Sequence, residues 1–269
     1  MSVLVAAVLS VVVWAAYREV DSTLTRAASE RSRATVGQVA NLFEGLMRPP
    51  VAELRKVATE PALRAFLADR TAENRAAAEA VLTKLIASNS SRHVALFDAK
   101  GTRLISLVPP PRLDATGPID VPEATTVTGE GLSPFRAAQG GVYMDFVTAV
   151  SSAFPGFDRI GTLSVRNALS VNPPGVIGQL VGRDALIKMG NRDGSVWVDL
   201  ADTTVAPAPP VDLATMGPAR YDAADGPRIG ALAEIRDTPW LAWVELSREH
   251  LLAPARPFLP RKRLFGARG

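Results

Sequence analysis

The chain has 269 residues, enough for one large domain or two small ones, and 47% of them are apolar, which supports a packed core and excludes a disordered chain. It holds no cysteine and two histidines, His93 and His250, so a disulfide framework, a thiolate nucleophile and a Cys-based zinc site are excluded, and neither metal nor cofactor is expected. The net charge is +3, but residues 253–269 carry Arg256, Arg261, Lys262, Arg263 and Arg268 and no acid, which leaves residues 1–252 at −2. Basicity confined to one end fits a membrane flank and speaks against a nucleic-acid partner.

Residues 2–17, SVLVAAVLSVVVWAAY, hold no charge and span about 24 Å as a helix, against a bilayer core of about 30 Å. With Trp14 and Tyr17 in the interface, the run predicts a retained membrane anchor. A signal peptide and a buried helix are the alternatives. The first lacks basic residues ahead of the run, and Val13-Trp14-Ala15 makes a poor cleavage site.

Val20, Leu24, Ala28, Val36, Val39, Phe43 and Leu46 then recur at helical spacing. They predict a long helix that Pro49-Pro50 should stop, since proline removes an amide donor and clashes with the preceding turn. A second helix follows with Val51, Leu54 and Val57. Thr59 is placed to cap a third, with Pro61 in its first turn and Leu63, Phe66 and Leu67 on its buried side. A fourth, over 72–87, buries Val81, Leu82 and Leu85.

The pattern then changes to short strands. Residues 93–97 and 102–106 form a hairpin around the turn Asp98-Ala99-Lys100-Gly101, followed by a loop rich in Pro and Gly over 108–141. Strands over 142–151 and 160–165 are joined by the Phe154-Pro155-Gly156 turn. The same order recurs: strands 185–189 and 195–200 flank Asn191-Arg192-Asp193-Gly194, a Pro-rich loop covers 206–218, and strands 229–235 and 240–246 flank the turn 236–239.

An apolar run, a long helix and two small antiparallel sheets with Asp-x-x-Gly hairpins resemble the double Cache (PAS-like) sensor architecture of bacterial receptors, such as the input half of a sensor histidine kinase. The stretches 190–200 (GNRDGSVWVDL) and 237–245 (DTPWLAWVE) are similar to the membrane-proximal lobe of such sensors, and 251–256 (LLAPAR) to their exit helix. The resemblance implies an α+β fold: an N-terminal transmembrane helix at 1–17, a helical stalk with sheet-packing helices at 18–88, a membrane-distal lobe at 89–172, a membrane-proximal lobe at 173–250, and a basic tail at 251–269. The lobe boundary is expected near 170–184. It also implies a single-pass protein of the bacterial inner membrane, its main domain outside the cytoplasm, and a homodimer through the long helix. A second span and an output domain should follow in that family. None is found after residue 18, so the chain is expected to be a receptor input truncated before its output, a remnant, or a binding subunit.

The resemblance further implies a small polar or anionic ligand, often an amino or organic acid, in the distal lobe. A carboxylate asks for a guanidinium fork, and an ammonium asks for an acid. Arg136, after Phe135 in the long loop, is the candidate cation; Tyr143 and Asp145 share one strand face by period-two alternation. Phe135, Arg136, Tyr143 and Asp145 are the candidate ligand set, with a solvated loop arginine and water-facing strand residues as the alternative. Trp197, Trp240 and Trp243 are expected in the core, and Asp199 on a hairpin. No Gly-x-Ser-x-Gly elbow or HExxH helix is present, so no catalytic residue is expected and the chain is read as non-enzymatic. The competing functions are an anchored structural or binding protein without output and an anchored hydrolase.

Overall fold

A computed structural model describes residues 2–87, 92–108, 130–138, 141–153, 156, 158–169, 185–223 and 226–247; the side chains of 2–11, 13, 17, 21, 24, 87, 92, 138 and 247 are outside that description. The expected Phe154-Pro155-Gly156 turn (apart from Gly156), the boundary at 170–184 and the tail at 251–269 lie outside the described residues.

Three helices come first: α1 (Ser2–Ala58), α2 (Pro61–Ala68) and α3 (Ala72–Ala87). Pro49 and Pro50 do not stop α1, which runs continuously through both. The lost amide donors and ring clashes cost about 3 kcal/mol or more in an isolated helix, but the segment beyond them is held by packing. Leu54 and Ala58 are each 4% exposed, in the same core as Phe43 on the near side. Thr59 does not cap α2 either. Its hydroxyl donates back to the Lys56 carbonyl (2.7 Å), closing α1, while Glu60 holds the cap position and Pro61 opens α2 as expected. Along α1, Ala28, Val36, Val39 and Phe43 are buried, whereas Val20 (49%) and Leu46 (51%) are exposed, so the periodicity outruns the surface available to cover it.

The distal sheet contains β1 (Arg92–Asp98), β2 (Arg103–Leu107), β3 (Gly131–Leu132), β4 (Arg136–Ala138), β5 (Gly141–Ser151) and β6 (Arg159–Ala168), in the order β2-β1-β6-β5-β3 with β4 also on β5. β3 and β4 fall inside the expected loop over 108–141: they are too short to show alternation and are held only by pairing with β5. The proximal sheet contains β7 (Ala185–Asn191), β8 (Trp197–Asp199), β9 (Val205–Ala206), β10 (Gly217–Ala223), β11 (Gly226–Glu234) and β12 (Trp240–Ser247), in the order β10-β11-β12-β7-β8-β9. β10 was not expected, β11 begins earlier than predicted and β8 is shorter. β10 is an edge strand, where Pro218 near its start costs little, and its alternating burial comes from laying one side on the sheet.

α1 runs against both sheets, and α2 and α3 cover the same side of the distal one. Val94, Leu96, Met144, Phe146, Leu163 and Val165 of the distal sheet join Ile187, Met189, Val198, Ala242 and Val244 of the proximal sheet in one core beneath these helices. A small set of contacts ties the lobes directly. The Asn191 side chain accepts from the Phe135 N–H (2.7 Å) and donates to the Phe135 carbonyl (2.9 Å) and to the Ser195 hydroxyl (3.0 Å). The Phe135 ring stacks on Trp240 with centroids 4.5 Å apart and planes 9° apart, and the Trp240 indole donates to the Ser133 carbonyl (3.1 Å). All three centre residues are at most 2% exposed.

Asn191→Ala would orphan the buried N–H and C=O of Phe135, at about 1–3 kcal/mol for each buried group left without a partner. The expected loss is about 2–4 kcal/mol, read as a lowered denaturation midpoint with an unchanged denaturant slope. A loss under 1 kcal/mol would show that water replaces the amide without cost. A second expectation concerns acid. Asp98, Asp193, Asp202 and Asp212 are each held below the ordinary value of 3.8, chiefly by the Thr102 N–H, the Ser195 hydroxyl, the Thr204 hydroxyl and the Ala214 N–H respectively. A carboxyl depressed in the folded state stabilises it above the unfolded pKa, and that contribution disappears as pH falls through the folded value. Thermal stability should therefore decline below about pH 4, and Asp98→Asn, which keeps the turn acceptor but not the charge, should flatten the decline.

Candidate functional site

The two faces of the distal sheet differ in chemistry. The helix side is apolar, as described above. On the other side, strand alternation and register bring His93 of β1 opposite Arg166 of β6, Arg166 opposite Asp145 of β5, and Tyr143 of β5 opposite Arg136 of β4. The neighbours along this face include the small Ala95, Ala149, Ser164 and Ala168, together with Val147 and the fully buried Phe97.

Its centre is an ion pair. The Arg166 guanidinium grips Asp145 with a fork: Nε to Oδ1 at 2.6 Å and a terminal nitrogen to Oδ2 at 2.9 Å. Both side chains are buried, at 3% and 6% exposure. The Tyr143 ring lies under the guanidinium carbon, 4.4 Å from its centroid. Burying two charges costs several kcal/mol per ion, returned only by good geometry and further polar contacts. This pair has both the fork and the aromatic support. Two further polar groups share the face. His93 Nε2 lies 2.9 Å from the Ser106 hydroxyl, and the buried Ser164 hydroxyl has no hydrogen-bond partner among the described residues.

Of the residues singled out from sequence, Arg136, Tyr143 and Asp145 are brought to one face by register. Arg136 is half-buried and forms no ion pair among the described residues. Phe135 is not brought with them. It points to the other side, into the joint with Trp240 and Asn191. Asp145 is already engaged on both oxygens, so its first partner is Arg166 and not a solvent-facing ligand. Arg166 itself was missed because its strand was expected to end at Val165, whereas β6 runs three residues further, to Ala168. The signal lay in alternation: Leu163 and Val165 face the helices, so the next polar residue in that register belongs to the opposite side.

The corresponding outer side of the proximal sheet is closed by aromatics. Trp197 and Trp243 lie flat over Gly190 and Gly230, where an added Cβ would come within 2.2 Å and 2.1 Å of the indole rings. Both tryptophans are buried with Leu232 and Leu241, as expected. Glu245, 2% exposed, is satisfied there by the Tyr221 hydroxyl, Arg228 and the Trp243 indole N–H (3.1 Å). Asp199 accepts from the Ala201 N–H (2.8 Å) and shapes its own turn. Among the described residues no group of three or more His, Asp or Glu side chains could hold a metal ion.

No protein-family model matches the chain, and no curated protein does. Solved structures do. The ligand-binding domain of Mlp24 with asparagine aligns at 12% identity and TM-score 0.55, over 87% of this chain and 99% of that one. The ligand-binding domain of the Pseudomonas fluorescens chemoreceptor CtaA with L-isoleucine aligns at 14% identity and TM-score 0.53, over 88% and 98%. The extracellular domain of the histidine kinase mmHK1S-Z3 aligns at 13% identity and TM-score 0.52, over 88% and 99%. The chain thus has the two-lobed double Cache (PAS-like) fold found in extracellular ligand-binding domains of chemoreceptors and histidine kinases.

Proposed function

We propose that this chain is the extracytoplasmic, non-enzymatic sensing module of a membrane receptor, and that it takes a small polar or anionic ligand on the outer face of its distal sheet. The observation that carries this reading is the contrast between the lobes. The distal face offers the Arg166–Asp145 fork, Tyr143, the buried Ser164 hydroxyl and Arg136, which forms no ion pair among the described residues, whereas Trp197 and Trp243 cover the proximal face around its Arg228–Glu245 pair. A ligand carboxylate would meet Arg136 and the outer edge of Arg166. Asp145 would orient Arg166 and set the charge seen by an amino group. The fold neighbours with asparagine or isoleucine bound support an amino-acid-sized ligand. The lobe boundary is proposed within 170–184, with 89–172 distal and 173–250 proximal.

Binding would bias the position of α1 against the sheets, by no more than the ligand's differential affinity for the two states. Membrane attachment through residues 2–17 and dimerisation along α1 complete the proposal. Among the described residues no helix is long and apolar enough to cross a membrane, and most side chains of 2–17 are outside the description. The support is the uncharged run itself, with Val12 and Trp14 exposed at 57% and 55%.

A thermal-shift screen of amino acids and small carboxylates should find the ligand through its stabilisation of the folded state. Arg136→Ala should then weaken binding at least tenfold, since losing one partner of a charged, partly buried contact costs about 2–5 kcal/mol and about 1.4 kcal/mol is a factor of ten. Replacing the fork with Asp145→Leu and Arg166→Leu together should leave stability nearly unchanged but abolish binding; retained affinity in that double variant would remove the distal face from consideration. For the dimer, the absence of cysteine makes cross-linking clean. Single cysteines at the exposed Val20 and Leu46 should join copies under oxidation in membranes, while one at the exposed Arg33, about 140° round the helix from both, should not. Equal yields at all three would count against a specific helix pair.

A further inference from the structure

Where the lobes meet, α1, β3 and the β11–β12 turn enclose a groove of about 550 Å³, within the usual size of small-molecule sites. Its floor is apolar, from Met47, Val51 and Leu132. Its rim carries Arg48, Arg55 and Arg236 against Glu44 and Asp237, an excess of one positive charge. Arg48 is spent on Glu44 one helical turn away. Arg55 and Arg236 are exposed, and neither forms an ion pair or side-chain hydrogen bond among the described residues.

We propose that this seam groove is a second binding site, for a small monocarboxylate with an apolar body. The two guanidiniums come from different elements, α1 and the proximal turn, and reach a groove whose floor suits a short hydrocarbon chain. A carboxylate between them would neutralise the excess charge, and its body would cover Met47, Val51 and Leu132. The site shares no residue with the distal face, so it stands or falls by itself. Its position gives it a role. The turn that carries Arg236 leads directly into Trp240, and Leu132 precedes the Ser133–Phe135 segment that Trp240 and Asn191 hold. A bound carboxylate would therefore brace the joint between the lobes.

The test is calorimetry on the full chain in lipid nanodiscs, with empty nanodiscs subtracted, using hexanoate, acetate, hexanol and inorganic phosphate. Hexanoate should bind saturably and at least tenfold more tightly than acetate, phosphate or hexanol. The double variant Arg55→Gln/Arg236→Gln should weaken hexanoate at least tenfold with an unchanged unfolding midpoint, since both side chains are exposed. Arg136→Ala should leave hexanoate affinity as it was, which separates this site from the distal one. Val51→Phe, filling the floor while keeping every charge, should also abolish binding. Absence of saturable heat, equal affinity for acetate or hexanol, or undiminished binding in the double variant would each overturn the proposal.

Discussion

One carboxamide holds the lobes in a defined relation. Asn191 sits at the end of β7 and closes on both backbone polar groups of Phe135, in the other lobe, while Trp240, its register partner on β12, stacks on the Phe135 ring. Only a side chain with one donor end and one acceptor end can pair with an N–H and a C=O of the same residue. Burial makes the pairing obligatory, since an unpaired backbone group there would be costly. The residue after Phe135 is Arg136, which opens β4 and faces the polar side of the distal sheet. The clamp therefore fixes the point from which Arg136 departs. A displacement of Arg136 strains contacts of the proximal lobe within one peptide unit, without any long relay of side chains.

The lobes share an architecture but not a surface chemistry. Each is a six-stranded antiparallel sheet with an apolar side under the helices. Their outer sides diverge through a few substitutions in register. Glycines at 190 and 230 admit flat indoles in one, and small residues such as Ala95, Ser164 and Ala168 leave room for the buried Arg166–Asp145 pair in the other. Fold alone does not assign function, and here the difference between two copies of one fold is more informative than the fold itself.

Much of this was legible in the residue order. The hairpins at Asp98 and Asn191 announce themselves by turn chemistry: Asp98 accepts from the Lys100 and Thr102 N–H groups, and Gly101 takes φ +82. The core strands show the expected runs, and α2 and α3 show their buried faces. The failures have physical reasons. Pro49-Pro50 reads as a stop because local rules do not see the two sheets that hold the helix together beyond it. β3 and β4 owe their existence to pairing, not to composition. Arg166 was lost to a strand end placed three residues early. Phe135 and Arg136 look alike as loop residues, but adjacent positions in extended chain face opposite ways, and that sent one to the joint and the other to the Tyr143 side of the distal sheet. The equivalence of Asp98 and Asn191 also hides a change of role: the aspartate serves its own turn, while the asparagine serves the other lobe.

The placement of the tryptophans has an optical consequence. The chain has four, Trp14, Trp197, Trp240 and Trp243; the last three are buried in the proximal sheet and none lies in the distal one. Near-ultraviolet emission from the folded body thus comes from the lobe opposite the polar face. A molecule settling beside Arg166 would leave that emission unaltered unless the stack of Trp240 on Phe135 shifted. Once occupancy is established by another signal, silence of this internal reporter means that the effect stays in the distal lobe, and a response means that the second lobe has felt it.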